Sequence, residues 1–78
     1  MSTPQTDYRM RLNVQAQRKF LGEVKYIITG VSPGPRPHTE IWHSNVFVND
    51  TLMGTGSGHT KPLAMEAAAL EALRKVPE

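Results

Sequence analysis

The fold is decided by the stretch Gly54-Thr55-Gly56-Ser57-Gly58-His59-Thr60-Lys61-Pro62-Leu63-Ala64, which runs on into further alanines and Leu73. It predicts a glycine-rich loop that leads into a helix beginning at Lys61 or Pro62, with Thr60 as its N-cap. The first turn of a helix leaves backbone N–H groups unpaired, and the helix dipole favours negative charge there. With Lys61 beside those groups, the stretch is typical of an anion site suited to phosphate. A solvated lysine beside an ordinary turn is the alternative.

Around this stretch, the hydrophobic pattern predicts two helices that flank three strands. Helix 1 is expected to begin at Thr6 or Asp7, either of which could cap it, and to end before Gly22. Its core-facing residues recur at helical spacing: Tyr8, Leu12, Ala16 and Phe20. Helix 2 extends to Lys75 and carries a stripe that would let it lie close to a sheet, formed by Ala64, Ala68, Ala72 and Leu73.

The three strands are predicted from β-branched and aromatic residues between turn formers. They cover residues 23–29, about 40–48, and the short segment 51–55. The prolines and glycines between residues 30 and 38 indicate an irregular loop, and Asn49-Asp50 indicates a hairpin turn. We therefore expect an α+β domain of order α-β-β-β-α, with two helices packed on one face of a three-stranded antiparallel sheet. The domain would span residues 6–78, behind a disordered tail at residues 1–5.

Composition narrows the classes of function. The chain has no cysteine, which removes disulfides and thiolate zinc sites, and its three histidines match no usual metal-ligand spacing. No nucleophile stands beside a convincing base, so we expect no catalytic residues, no metal and no cofactor. No apolar run is long enough to cross a membrane, and we expect a cytoplasmic or nuclear protein.

Charge is unevenly distributed along the chain. Residues 1–36 hold six basic and two acidic side chains, whereas residues 37–78 hold three basic and five acidic ones. The first half could attract an anionic partner, or its charges could simply form a solvated helix face.

The order of elements and several motifs resemble the double-stranded RNA-binding domain family over residues 7–76. Matching positions include Leu12-Asn13 and Ala16-Gln17 in helix 1, Tyr26 in strand 1, and His38 followed four residues later by Trp42. The three glycines, Lys61 and the alanines of helix 2 then follow in one register. The joint register is specific, although no single position is.

The resemblance implies binding of double-stranded RNA through the shape of the A-form duplex. In the family, helix 1 enters one minor groove, the strand 1–2 loop enters the next, and the start of helix 2 contacts phosphates across the intervening major groove. Carried over to this sequence, the RNA-binding residues are Met10, Arg11 and Val14 in helix 1, Arg36, Pro37 and His38 in the loop, and His59 and Lys61 at the start of helix 2.

The sequence departs from the family pattern in both helices. The family usually has three lysines at the start of helix 2, where this chain has Lys61, Pro62 and Met65, and each lost charge lowers affinity for phosphate. Val14 stands where the family usually has a glutamate that accepts from ribose hydroxyls. A second function therefore stays open, that of a protein-interaction or homodimerisation domain whose partner is itself or another domain of this family. Its candidate interface, on an exposed edge strand and helix 2, consists of Leu52, Met53, Leu63 and Met65.

Overall fold

The structure, a computed structural model, describes residues 7–76, so the tail predicted at residues 1–5 lies outside the described residues. The elements follow in the order α1 (Tyr8–Arg18), β1 (Val24–Ser32), β2 (Ile41–Val48), β3 (Thr51–Gly58) and α2 (Lys61–Lys75). The strands form one antiparallel sheet in the order β1-β2-β3. Both helices cover the same face of this sheet, which confirms the predicted α-β-β-β-α fold.

The alternation of β2 decides which face of the sheet is buried. Ser44, Val46 and Val48 are buried beneath the helices, whereas Asn45 and Phe47 point to the opposite face. The predicted turn at Asn49-Asp50 is confirmed, and both residues have left-handed backbone conformations, with φ of 52° and 65°. Such a pair matches the twist of a tight hairpin, which places β3 beside β2.

The core lies between the sheet and the helices. Its buried residues come from α1, β2 and α2, and from the residue that follows α2: Leu12, Val46, Ala68, Ala69, Ala72 and Val76. In the predicted stripe, Ala64, Ala68 and Ala72 are completely buried, whereas Leu73 is partly buried and packs against the core. Small side chains on this face let α2 lie directly on β3.

The glycine-rich segment is part of β3 and not the loop that the sequence predicted. β3 continues to Gly58 instead of ending near Thr55, and no glycine in it has a positive φ. A Cβ added at Gly54 or Gly56 would overlap the backbone of Ala68 on α2. These glycines therefore serve close packing of helix on strand, which a single sequence does not distinguish from a flexible loop.

β1 is also longer than predicted. It continues through Gly30 to Ser32, because a bulge between Ile28 and Gly30 shifts the register and pairing then resumes with β2. Ser32 lies opposite Ile41, and its Oγ is 2.8 Å from Nε2 of His43. The irregular connection is thus confined to residues 33–40.

The end of α1 overturns the prediction that Phe20 packs in the core. α1 stops at Arg18, after which the Phe20 N–H donates to the Gln17 carbonyl at 3.3 Å and the Leu21 N–H donates to the Ala16 carbonyl at 2.9 Å. This is the Schellman pattern, and it puts Phe20 in the left-handed region with φ 54°. Phe20 is 94% exposed, and Leu21 packs against the core in its place.

Candidate nucleic-acid interface

The start of α2 is capped by Thr60, as predicted. The Thr60 hydroxyl accepts from the Leu63 N–H at 3.2 Å, and the Thr60 carbonyl accepts from the Ala64 N–H at 3.0 Å. Pro62 has no N–H to offer. The predicted cradle of unpaired N–H groups is therefore smaller than the sequence indicated, and any phosphate contact here depends on the Lys61 side chain.

The Lys61 side chain reaches back over the sheet. Its Nζ lies 5.0 Å from the centroid of the Trp42 ring, a cation–π distance. Trp42 is half-buried near the beginning of β2, where it pairs with Gly58 at the end of β3. The indole thus supports the ammonium group at this end of the sheet.

The predicted loop residues Arg36, Pro37 and His38 are all exposed on the connection between β1 and β2. Thr39 fastens this connection, since its hydroxyl accepts from the Arg36 N–H at 3.1 Å and donates to the Arg36 carbonyl at 2.5 Å. His38 has a left-handed backbone conformation, with φ 66°. The three side chains therefore stand on a closed turn that presents them to solvent.

His59 joins this connection to the start of α2. Its Nδ1 lies 3.2 Å from the backbone carbonyl oxygen of Glu40, which immediately precedes β2. With the contact between Lys61 and Trp42, this brings two of the three predicted RNA-binding regions to one end of the molecule. One His59 ring nitrogen faces the protein backbone.

The three predicted residues of α1 share one surface. Met10 is 66% exposed, Val14 is also exposed, and the Arg11 guanidinium lies 5.8 Å from the centroid of the Tyr8 ring. Met10, Arg11 and Val14 line a groove of about 440 Å³ whose other wall is the second half of α2 and the residue after it, with Leu70, Leu73, Arg74 and Val76. The predicted α1 residues thus adjoin the end of α2 that lies opposite Lys61.

Glu66 joins α2 to the start of α1, a contact that the sequence did not predict. It is 7% exposed, and its Oε1 accepts from the N–H groups of Tyr8 at 2.8 Å and Arg9 at 3.2 Å. Its Oε2 accepts from Arg9 Nε at 2.7 Å. Asp7, the predicted cap of helix 1, makes no side-chain cap bond, and Thr6 lies outside the described residues. The sequence signal for this contact is that Glu66 is the one acidic residue in the otherwise apolar run 63–70 of α2.

The candidate protein-interface residues have different environments. Leu52 and Leu63 are exposed, whereas Met65 is half-buried and Met53 packs against the core, next to the register shift between Val46 and Phe47. Met53 is therefore not a free edge residue.

The edge of β3 is also partly covered, contrary to the prediction of an open edge. The Thr55 N–H donates to Glu71 Oε1 at 2.5 Å, so α2 occupies one of the edge donors. That bond lowers the pKa of Glu71 below its usual value. An added strand would have to displace this contact.

Metal-ligand clusters and membrane-spanning helices are both missing among residues 7–76. No group of three or more histidine, cysteine, aspartate or glutamate residues in that range is arranged to hold a metal ion. The same range has no helix long and apolar enough to span a membrane.

Comparison with known proteins agrees with the geometry. The family described as the double-stranded RNA binding motif matches residues 8–76. Over 72 residues, 92% of the chain, the sequence is 39% identical to ribonuclease 3 of Bacillus cytotoxicus and of Bacillus cereus, and 38% identical to ribonuclease 3 of Bacillus anthracis. The matched region makes up 29% of each of these ribonucleases. With this fold and this match over nearly its whole length, the chain belongs to the double-stranded RNA-binding domain family.

Proposed function

We propose that this chain binds double-stranded RNA as a non-catalytic domain that recognises the A-form duplex by its shape. α1 would lie in one minor groove through Met10, Arg11 and Val14. The β1–β2 connection would enter the next minor groove, and Lys61 would contact phosphates across the major groove between them. A-form RNA favours this mode, since its minor groove is wide and accessible whereas its major groove is deep and narrow.

One observation carries the proposal most directly. Lys61 is held 5.0 Å from the Trp42 ring, and the neighbouring His59 contacts the Glu40 carbonyl at the base of the β1–β2 connection. These two contacts hold Lys61, the remaining lysine at the start of helix 2, near the connection that carries the exposed Arg36 and His38. A pre-arranged lysine loses less conformational freedom on binding, which would offset part of the missing charge at Pro62 and Met65.

Titration of a perfect RNA duplex at two salt concentrations tests the proposal, with Lys61→Ala beside wild type. Loss of one phosphate contact should weaken binding by about 1 kcal/mol and reduce the salt slope by about one. Lys75→Ala is the matched control, because Lys75 is also exposed and lies in the last turn of the same helix. If the two variants lose equal affinity, binding reflects net charge alone, and Lys61 makes no specific contact with a phosphate.

A second candidate function is self-association, favoured by apolar side chains on the open face of the sheet. Leu52 is 48% exposed on β3, and it lies in register with the half-buried Phe47 on β2. Ile27 on β1 is also exposed and lies on the same face, opposite Asn45 and diagonal to Phe47. Packing two such faces would remove apolar surface from water.

Sedimentation of wild type and Leu52→Lys over a wide concentration range distinguishes this candidate. Self-association through the open face predicts a dimer that Leu52→Lys weakens, with RNA binding little changed because Leu52 is not among the proposed RNA contacts. A strict monomer at all concentrations would reject the homodimer.

A further inference from the structure

We propose that Glu66 is a positioning residue for duplex binding, which ties the first turn of α1 to α2 and so fixes the spacing between the α1 contacts and Lys61. The inference rests on the proposed function and adds to it a residue that touches no RNA.

The geometry of Glu66 is that of a helix cap supplied by another helix. Its nearly buried carboxylate accepts two backbone N–H groups at the start of α1, from Tyr8 and Arg9, and it pairs with the Arg9 side chain. A carboxylate at this position satisfies N–H groups that have no intrahelical partner and interacts favourably with the helix dipole. Asp7 does not supply this cap itself.

α1 depends on α2 for its position more than on the sheet. α1 packs mainly against α2 and has few neighbours on β1. Leu12 anchors its middle among the alanines of α2, but apolar packing of this kind is not directional. The hydrogen bonds to Glu66 are directional, so they set the register of α1 along α2.

This register matters for RNA because the proposed contacts are divided between the two helices. Met10, Arg11 and Val14 lie on α1, while Lys61 lies on the same helix as Glu66. The grooves of an A-form duplex have a fixed separation, so only one placement of α1 relative to Lys61 satisfies both contacts. A displaced α1 would reduce the competent fraction of the domain, and apparent affinity falls in proportion to that fraction.

The ion pair with Glu66 also indicates a structural role for Arg9. Its Nε donates to Glu66 Oε2 at 2.7 Å while the side chain stays 39% exposed, so we assign Arg9 to the link between α1 and α2 and do not place it among the phosphate ligands. Arg9→Gln should remove the ion pair but keep both backbone bonds to Glu66, and should therefore cost less RNA affinity than Glu66→Ala.

The test compares Glu66→Ala with Glu71→Ala, which is a closely matched control. Both glutamates lie on α2, both accept from a backbone N–H of a neighbouring element, and both substitutions change net charge equally. Glu71 holds Thr55 of β3, however, and not α1. We take the α1 of Glu66→Ala to occupy its wild-type register along α2 about one fifth of the time. Duplex affinity should then fall about fivefold relative to Glu71→Ala. Glu66→Gln, which keeps an oxygen for the backbone N–H groups, should fall between Glu66→Ala and wild type.

Two further readouts separate positioning from general destabilisation. Amide hydrogen exchange should accelerate in the first turns of α1 in Glu66→Ala, while β2 keeps its protection. In an Arg11→Ala background, where an α1 contact is already lost, Glu66→Ala should cost less RNA affinity than it does in the wild-type background.

Different results would reject the positioning role of Glu66 and the proposed binding of RNA. Equal duplex affinity of Glu66→Ala and Glu71→Ala, or unchanged exchange in α1, would overturn the positioning role. A full affinity loss that persists in the Arg11→Ala background would overturn it as well. Failure of the wild-type domain to bind duplex RNA would instead reject the proposed function, and hydrogen exchange would still report whether Glu66 holds α1.

Discussion

Phe20 combines a left-handed backbone, φ 54°, with an almost fully exposed side chain. A residue with a Cβ pays about 1 kcal/mol or more in this conformation, whereas glycine adopts it freely. We expect Phe20→Gly to raise the free energy of unfolding by about 1 kcal/mol in urea denaturation. Phe20→Ala is the control, because it removes the aromatic ring but keeps the Cβ. If glycine and alanine give equal stability, the backbone at this position is not strained.

Ionisation of Tyr26 lowers the stability of the folded domain at alkaline pH. Burial raises the pKa of its hydroxyl to about 12, with Glu66 also raising it and Arg9 opposing. The hydroxyl has no hydrogen-bond partner among the described residues. A pKa raised in the folded state means that the stability contribution is complete below the unfolded value of 10.0 and is lost as pH rises from there towards 12.

Tyr26→Phe should therefore flatten the decline of stability between about pH 10 and pH 12, and should cost little at neutral pH because no hydrogen bond is lost. Thermal unfolding over this pH range measures both effects. The same alkaline slope in Tyr26→Phe and wild type would contradict the assignment, and Tyr8, present in both, provides the common background.

At the scale of elements, the contact between α2 and β3 limits which residues β3 can carry. A Cβ at Gly56 would overlap the backbone of Ala67 and Ala68, so Gly56→Ala must push α2 away from the sheet. We expect a loss of about 1–3 kcal/mol in the free energy of unfolding, the usual range for overpacking. Gly30→Ala is the control, since a Cβ at Gly30 has no atom within 4 Å. Equal stability of both variants would show that α2 does not lie on Gly56.

The elements also show what one sequence can predict and what it cannot. The bounds of α2, its Thr60 cap and the turn at Asn49-Asp50 follow from local patterns, and all three are confirmed. The extent of β3 does not, because glycines indicate a loop unless the helix that lies against them is known. The bulge in β1 and the short α1 are set by pairing and by backbone hydrogen bonds at the helix end, neither of which leaves a strong mark in composition.

At the scale of the whole molecule, the sequence identified candidate contact residues through a family resemblance, but not what holds them in place. The predicted residues are exposed on α1, on the β1–β2 connection and at the start of α2. Their supports are long-range pairs: Glu66 with α1, Lys61 with Trp42, and His59 with Glu40. Such pairs join residues far apart in sequence, so no local sequence pattern predicts them.

We propose that these three regions together recognise the shape of an A-form duplex. Binding of a perfect RNA duplex of about 16 base pairs, the length that one such domain spans, is compared with a DNA duplex of matched length and sequence at two salt concentrations. We expect RNA to bind about tenfold tighter or more at both salt concentrations, with little dependence on RNA sequence, because backbone charge is common to both duplexes whereas groove shape and 2′-hydroxyls are not. Equal affinity for the two duplexes at both salt concentrations would contradict shape recognition and reduce the interaction to charge attraction.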